Sequence, residues 1–272
     1  MGDELPMVMG IINVTPDSFS DGSRFFSVDA AVRHGLDLVA RGADILDVGG
    51  ESTRPGAAPV TPEEERRRVV PVIESLASAV SVPISIDTRH DAVAEAAIQA
   101  GASIVNDIEA GRSSPGMWRV VREAGAGYVC MHMQGEPATM QRNPTYSDVV
   151  AEVRSFLSER LADLVAFGVD PASVAIDPGI GFGKNLDHNL ALLRALPELV
   201  GLGHPVLLGV SRKSFIGAVT HAPELQDRLA GGLACALHAA RCGVSVIRTH
   251  DVSETVRALR MQAALQAKED VA

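Results

Sequence analysis

The sequence predicts a single (β/α)8 barrel of the α/β class, and three observations favour it. Eight short apolar segments alternate with stretches of helical periodicity along the chain. Each apolar segment ends in polar or glycine-rich residues, as parallel strands buried on both faces do at their carboxyl ends. The length of 272 residues suits one such barrel. We therefore expect one domain over 1–272, whose strand ends form a ring at the face where such barrels carry their sites.

The predicted strands, in chain order, cover residues 7–13, 44–48, 83–87, 103–106, 127–132, 173–177, 205–210 and 244–248. The predicted helices lie near 28–41, from 61, near 90–100, 115–124, 147–167, 186–200 and 225–242, and from 253. The second helix opens with Thr61 as N-cap, Pro62 in its first turn and Glu64 at the capping-box position. We interpret the charged run 63–68 as the solvated face of this helix. A doubly wound open sheet fits less well, because no strand-order reversal or G-x-G-x-x-G phosphate loop is found.

Composition narrows the classes of partner. The chain is 46% hydrophobic but only 4% aromatic, so its core must consist mainly of Val, Ile, Leu and Ala. A net charge of −10 argues against nucleic acid or an anionic membrane as the main partner. Three cysteines without metal-ligand spacing indicate reduced thiols. The N-terminus lacks the basic start of a secretory signal, and no uncharged apolar run reaches membrane-spanning length. We expect a cytoplasmic protein.

Three polar side chains at strand ends predict a binding pocket. Asp87, Asn106 and Asp177 end strands three, four and six, each after apolar residues. Burying such a group costs several kcal/mol unless a partner satisfies it. Any one of them alone is more simply a helix N-cap or an internal hydrogen bond. Together at one barrel mouth they predict an acceptor-rich pocket for a small heterocycle with several N–H donors.

Lysine usage adds a donor to this pocket. Only three of the 24 basic residues are lysines, at 184, 213 and 268. A compact ammonium is not interchangeable with a planar guanidinium, so a lysine kept in an arginine-rich chain indicates a specific role. This favours Lys213 as a pocket donor to a ring carbonyl or nitrogen. Lys184 is also open to interpretation as a surface residue after a glycine turn.

Basic residues after the last two strands predict an anion site. Arg248 and His250 lie at the end of strand eight, close to Arg212 and Lys213 at the end of strand seven, where this fold commonly binds phosphate. The alternative is a set of ordinary ion pairs, with Asp251, Glu254 or Asp227 as partners.

Two loops are more polar than a connection requires. Residues 15–22 after strand one and 50–56 after strand two are rich in glycine, proline and polar side chains, which is typical of lids over a site. Near strand five, Met131, Met133 and Met140 are either pocket lining or core filler, and filler is the more common outcome.

Eight motifs together resemble the dihydropteroate synthases of the pterin-binding barrel superfamily. They span nearly the whole chain in the family's order: INVTPDSFSDG at 12–22, DVGGESTRPG at 47–56, SIDT at 85–88, VND at 105–107, MHMQG at 131–135, DPGIGFGK at 177–184, GVSRKSFIG at 209–217 and RTHD at 248–251. No position that matters for the family departs from its pattern. The resemblance implies a transferase that condenses 6-hydroxymethyl-7,8-dihydropterin diphosphate with p-aminobenzoate to give 7,8-dihydropteroate and pyrophosphate.

The resemblance also implies roles for individual residues. Those that hold the pterin would be Asp87, Asn106, Met131, Asp177 and Lys213. Those that hold the pyrophosphate would be Asn13, Arg54, Arg248 and His250, with Mg²⁺ near Asn13 as the cofactor. Those that line the p-aminobenzoate site would be Phe19, Thr53, Pro55, Phe182 and Ser214. Catalytic roles would fall on Asp87, Asp177, Lys213, Arg248, Asp21 and Arg54, with Asp21 and Arg54 contributed by the two loops on closure. The family's usual homodimer is a further implication.

The implied chemistry agrees with the residues. An electron-rich dihydropterin can expel pyrophosphate from its exocyclic CH₂, in an SN1-like step that leaves a delocalised cation. Carboxylates such as Asp87 and Asp177 would stabilise that cation, while cations and Mg²⁺ would stabilise the departing anion. The neutral arylamine needs no strong general base, which accounts for the absence of a Ser/His/Asp or Cys/His arrangement. Closed lids would keep water from the cation.

Two other functions remain to be weighed. A methyltetrahydrofolate-dependent methyltransferase shares the pterin pocket but has no need for a diphosphate site, so Arg248, His250 and the 15–22 loop argue against it. A non-catalytic pterin-binding protein is free to lose the anion site or the lids, and neither is lost here.

Overall fold

Eight parallel strands make up the only sheet in the part of the chain that the computed structural model describes, which is residues 5–15, 24–52, 59–112, 114 and 116–266. The strands are β1 (Met7–Asn13), β2 (Ile45–Gly49), β3 (Ile84–Asp87), β4 (Ile104–Asp107), β5 (Gly127–Met131), β6 (Val174–Asp177), β7 (Leu207–Gly209) and β8 (Val246–Thr249). Their order across the sheet is β6-β5-β4-β3-β2-β1-β8-β7. A parallel bridge between Ile176 and Val206 joins the two outer strands and closes the sheet. The predicted (β/α)8 barrel is confirmed.

The helices that surround the sheet are α1 (Arg24–Ala40), α2 (Pro62–Ala79), α3 (Asp91–Gln99), α4 (Met117–Ala124), α5 (Val149–Phe167), α6 (Leu186–Arg194), α7 (Leu196–Val200), α8 (Ser214–Thr220), α9 (Leu229–Arg241) and α10 (Val252–Gln266). The helix predicted over 186–200 is two helices that meet at Ala195. Pro197 lacks an N–H donor and lies in the first turn of α7, where no donor is required. The short helix α8 was not predicted. None of the described helices is long and apolar enough to cross a membrane.

Helix α2 begins as predicted but does not present all of its charges as predicted. The Thr61 hydroxyl accepts from the N–H of Glu64 at 3.3 Å, so the N-cap is confirmed. The interpretation of 63–68 as a solvated face holds for Glu63, Arg66 and Arg67, which are exposed, but fails for Glu65, which is 0% exposed and bonds His90 Nδ1 at 2.8 Å. Arg68 also turns inward and donates to the carbonyl of Gly50 at 2.8 Å. Positions 65 and 68 share a face because they lie about one helical turn apart.

The barrel interior is built in layers. The lower layer is an apolar cluster of one residue from each of five strands, namely Met9, Ile45, Val129, Leu207 and Val246. Side chains of a strand alternate between its two faces, so residues two positions further along point the same way. Ile104 of β4 and Ala175 of β6 pack against this apolar layer. The residues two positions further along the seven strands named so far, together with Asp87 of β3, are Ile11, Asp47, Asp87, Asn106, Met131, Asp177, Gly209 and Arg248. We call these eight residues the mouth layer, and it changes the interior from apolar to polar within one step.

The three cysteines are unpaired. Cys130 is buried, and Cys235 and Cys242 are half-buried. Burial raises the pKa of all three thiols, to a large extent for Cys130. Free thiols agree with the expectation from their number and spacing.

Candidate active site

Four side chains of the mouth layer form one hydrogen-bonded group. Arg248 donates through Nε to Asp47 Oδ2 and through Nη2 to Asp87 Oδ2, both at 2.6 Å. Asn106 donates through Nδ2 to Asp47 Oδ2 at 3.3 Å. Asp87 and Asn106, two of the three side chains predicted to share the pocket, are therefore brought together, and Arg248, predicted for the anion site, joins them. Asp47, in the middle of β2, was not predicted, although its position two residues after the inward Ile45 was a usable signal.

Burial dominates the ionisation of this group. It raises the pKa of Asp87 to about 7, while Arg248 opposes the rise and Asp47 adds to it. Burial would lower the pKa of Arg248, but the carboxylates of Asp47 and Asp87 outweigh it and raise that pKa. One guanidinium is thus shared by two carboxyl groups.

Asp177 is the last residue of β6, and Lys213 lies four residues after β7, directly before α8. Asp177 Oδ1 accepts from the N–H of Gly179 at 2.6 Å, which ties the carboxylate to the turn that follows it. Lys213 donates to the carbonyl of Ile180 in the same turn, and its Nζ lies 4.6 Å from the centre of the Phe182 ring. Burial lowers the pKa of Lys213 to about 8, partly offset by Asp177, and burial raises the pKa of Asp177. A desolvated amine next to a carboxylate can donate to a ligand carbonyl or ring nitrogen.

An apolar cluster stands beside these polar groups. Ile108, Met131, Met133 and Met140 pack together, separate from the main core, and the half-buried Phe182 packs against them. Methionines are adaptable contacts for a flat ligand. All three methionines are buried, so they fill a core-like cluster, and this cluster reaches the mouth through Met131 and Phe182.

The basic residues of the predicted anion site divide into two groups. Arg212 forms an ion pair with Asp251 at 2.5 Å, as the alternative interpretation anticipated. Arg248 instead points into the mouth, and its partners are none of the three acidic residues considered from sequence. His250 lies between the ends of β1 and β7: its Nε2 is 3.5 Å from Asn13 Nδ2, and its Nδ1 is 3.1 Å from Ser211 Oγ.

The structure rules out the interpretation of Lys184 as a surface residue. It is 2% exposed, and its Nζ contacts His132 Nδ1 and the carbonyl of Phe182, both at 2.9 Å. Burial, followed by the charge of Lys184, lowers the pKa of His132 to about 3, so the imidazole is neutral and accepts this bond. Burial also lowers the pKa of Lys184 itself. The pair joins the loop after β5 to the loop after β6 and thereby supports Phe182.

A second charged network, not predicted from sequence, lies in the segments that follow β2, β3 and β4. Arg89 donates to both oxygens of Glu51 at 3.1 Å and to Glu109 at 3.3 Å. Glu51, Glu65 and His90 offer ligand atoms within 4.8 Å of one another, the spacing of a candidate cation site. Arg89 already neutralises Glu51, however, and His90 is bonded to Glu65. We therefore interpret this network as support for the mouth rather than as a metal centre.

Six of the predicted site residues lie outside the described residues or at the edge of the pocket. Phe19, Asp21, Thr53, Arg54 and Pro55 belong to 16–23 and 53–58, which the structure does not describe. Ser214 is exposed at the first position of α8, one residue after Lys213.

The chain is similar to known proteins over nearly its whole length. The model of the family "Pterin binding enzyme" matches residues 9–250. The dihydropteroate synthase of Escherichia coli K12 is 48% identical over 266 residues, which cover 97% of this chain and 94% of that protein. These relatives are named as enzymes, which leaves the methyltransferase and the non-catalytic binder without support.

Solved structures agree with the sequence matches. Dihydropteroate synthase of Xanthomonas albilineans with 4-aminobenzoic acid has a TM-score of 0.92 and 48% identity, with 98% of this chain and 96% of that chain covered. Dihydropteroate synthase of Yersinia pestis with a sulfonamide drug complex has a TM-score of 0.91 and 43% identity, with 98% and 97% covered. The chain belongs to the dihydropteroate synthases, transferases of folate biosynthesis within the pterin binding enzyme family.

Proposed function

We propose that this chain makes 7,8-dihydropteroate by an SN1-like route in which the mouth layer holds the pterin. The C–O bond of the exocyclic CH₂ breaks first, and pyrophosphate leaves with the electron pair. The nitrogen of p-aminobenzoate then forms the C–N bond and releases a proton. The observation that carries this proposal is the cluster of Asp47, Asp87 and Asn106 around one guanidinium, because it is rich in hydrogen-bond acceptors and sets two carboxyl groups against one arginine. Such a site favours a ligand with N–H donors that becomes cationic.

The pterin would lie across the mouth layer. Asp87, Asn106 and Asp177 supply acceptors for its N–H groups, and Lys213 donates to its carbonyl or ring nitrogen. Met131 and the cluster around it offer an apolar wall for the flat ring. Carboxylates whose pKa is raised by burial are poorly hydrated, so a ligand N–H displaces little water when it binds them.

The diphosphate would face Arg248, His250 and Asn13. Arg248 uses Nε and Nη2 within the protein, which leaves Nη1 to meet an anion. The Asn13 carbonyl oxygen is a suitable ligand for Mg²⁺, which prefers oxygen and usually combines few protein ligands with substrate phosphates and water. The Asn13 amide nitrogen faces His250, so its oxygen lies on the other side, and this fits a cation beside the diphosphate. When bound, Mg²⁺ would neutralise charge on the leaving group.

The p-aminobenzoate would bind next to the pterin, between Phe182 and Ser214. Both residues adjoin Lys213: the Phe182 ring lies under its ammonium, and Ser214 follows it in sequence. Phe19, Thr53, Pro55, Arg54 and Asp21 would complete this subsite by analogy with the family. Sulfonamides mimic p-aminobenzoate, and the complex of the Yersinia pestis relative supports the expectation that they inhibit this enzyme. Turnover that persists at high sulfonamide and low p-aminobenzoate would contradict this expectation.

We also propose a homodimer and a cytoplasmic location. Helix α9 presents the small residues Ala230 and Ala234 to solvent, and the large apolar side chains of Met261 and Leu265 on the adjacent α10 are 59% and 74% exposed. An apolar surface of this kind is typical of an interface between copies of a chain. The three unpaired thiols suit a reducing compartment.

The proposed reaction has a direct test. The protein, the pterin diphosphate, p-aminobenzoate and Mg²⁺ are combined, and pyrophosphate and dihydropteroate are measured together. We expect the two products in equal amounts and only with the complete mixture. Pyrophosphate without dihydropteroate would mean hydrolysis and would refute the proposal.

A further inference from the structure

Packing alone does not explain why β2 carries an aspartate at position 47 in the mouth layer. Its side chain is 0% exposed within β2, directly above an apolar layer that needs no charge. Oδ2 takes the bonds from Arg248 and Asn106, whereas Oδ1 is buried and has no hydrogen-bond partner among the residues that the structure describes. A buried carboxylate that is only partly satisfied is unfavourable for folding. The role of Asp47 therefore follows from its effect on its two partners, Arg248 and Asn106.

Asp47 determines how the Asn106 amide is turned. An ionised carboxylate can only accept hydrogen bonds, so the amide nitrogen of Asn106 must face Asp47. The amide oxygen then points to the other side, where no described residue donates to it. Without Asp47 the amide would be free to rotate by half a turn and present donors to the ligand. Asp47 thereby makes Asn106 an acceptor.

Asp47 also fixes the plane of the Arg248 guanidinium. Two hydrogen bonds on different nitrogens, one to Asp47 and one to Asp87, leave a planar group little freedom. Asp87 has a second task, since it is expected to accept from the pterin. Asp47 lies deeper, and it can keep Nε of Arg248 in place while Asp87 engages the ligand.

We propose that Asp47 is a positioning residue of this reaction, which turns the Asn106 oxygen toward the pterin and holds the Arg248 guanidinium toward the leaving diphosphate. The inference rests on the proposed function, because both side chains act on its substrate. It assigns a role to a fully buried residue inside β2, which acts through Asn106 and Arg248.

The test uses Asp47→Asn in the whole protein, since asparagine keeps the shape of the side chain but removes the charge. Affinities for 6-hydroxymethylpterin and for pyrophosphate are measured separately by calorimetry, and steady-state rates are measured beside them. We expect each affinity to fall at least about tenfold, because each ligand loses a charge-assisted contact set by Asp47. In an Arg248→Met background the same substitution should change pyrophosphate affinity by less than about twofold, because Arg248 transmits the effect.

Asp44→Asn is the control. Asp44 immediately precedes β2 at the end away from the mouth, and its Oδ2 accepts from the N–H of Val8 at 2.8 Å. We expect its ligand affinities to match those of the unaltered protein. If Asp47→Asn does not fold, Asp47→Ser, which admits water, takes its place, and failure of both to fold would show a structural role and overturn the proposal.

The remaining outcomes separate this inference from the proposed function. A folded Asp47→Asn that binds both ligands normally would overturn the inference alone, provided that the unaltered protein forms dihydropteroate. An equal loss of pyrophosphate affinity with and without Arg248 would also overturn it. Absence of dihydropteroate formation by the unaltered protein would refute the proposed function and this inference together.

Discussion

At the scale of single residues, charge and burial compete at the barrel mouth. Asp177 shows the balance, because burial raises its pKa while Lys213 and the Gly179 N–H oppose that rise. Oδ1 of the Asp177 carboxylate is bonded to the backbone, and Oδ2 can accept a hydrogen bond from a ligand.

Asp177→Asn should weaken pterin binding by about 2 kcal/mol, roughly 30-fold, because a charge-assisted acceptor becomes a neutral amide. Calorimetry with 6-hydroxymethylpterin measures the change. Asp163→Asn is the control, since Asp163 is an exposed carboxylate on α5, and it should bind normally. Equal affinity in the two variants would contradict the assignment of Asp177 to the pterin.

Asp87 predicts a pH dependence. Burial raises its pKa to about 7, and the charged groups that face it are Arg248, which opposes the rise, and Asp47, Glu65 and Asp107, which add to it. The ionised form is the stronger acceptor from an N–H and alone places negative charge beside the developing cation, so kcat/KM for the pterin diphosphate should rise with pH through about 7. The free energy of unfolding should instead fall as the pH rises toward 7, because the folded state binds the Asp87 proton more tightly than the unfolded state does.

The pH–rate profile of Asp87→Asn is the check on this assignment. The inflection near neutral pH should be lost, although the variant is expected to be slower at every pH. An unchanged inflection in the variant would assign it to another group or to the substrate.

At the scale of elements, each strand delivers one polar group, and the turn after it fixes that group. The turn after β6 is the clearest case, because Gly179 has a φ of +66° and a Cβ there would lie 1.9 Å from the carbonyl oxygen of His132. The chain therefore passes closer to the loop after β5 than any other residue type permits, and this proximity brings Lys184 to His132.

Gly179→Ala should lower the free energy of unfolding by at least about 3 kcal/mol and abolish activity, because backbone must move to relieve the contact. Gly203→Ala is the matched control, since its φ of +83° is also left-handed but nothing lies within 4 Å of the added Cβ. It should cost about 1–2 kcal/mol and leave activity intact. Denaturant unfolding and turnover measure both, and equal costs would show that the close approach is unimportant.

At the scale of the whole molecule, the barrel places residues from strands far apart in sequence around one ligand. Asp47 and Arg248 are 201 residues apart and yet are bonded, because β1 alone separates β2 from β8. The same closure leaves α9 and α10 as neighbours on the outside, where apolar side chains remain exposed.

We predict that the protein sediments as a dimer and that Ala234→Arg shifts it toward the monomer, because a charged side chain would have to be buried at the α9 interface. Ala162→Arg, at an exposed position of α5, is the control and should not alter the mass. A monomeric unaltered protein, or equal behaviour of the two variants, would contradict the proposed interface.

The sequence alone was sufficient for the fold and for most of the mouth. Alternation of apolar strands and periodic helices is a local property, so the strands were predicted to within about two residues, as expected for element ends. Asp87, Asn106, Asp177 and Arg248 were predicted because each lies at the end of a predicted strand, and the barrel brings all strand ends to one face. Lys213 was predicted from the scarcity of lysine in the chain.

The tertiary structure decided what the pattern leaves open, namely the direction and the partner of each side chain. Glu65 and Lys184 have charged side chains at positions typical of a surface, and only the packing of α2 and of the glycine turn shows that both are buried. Asp47 looked like part of an apolar strand, and only the register of β2 beside β3 and β1 turns it toward Arg248 and Asn106. Sequence determines which groups reach the mouth, because strand ends are local features. Which groups bond one another depends on contacts between residues distant in the chain, and these exist only after the barrel has closed.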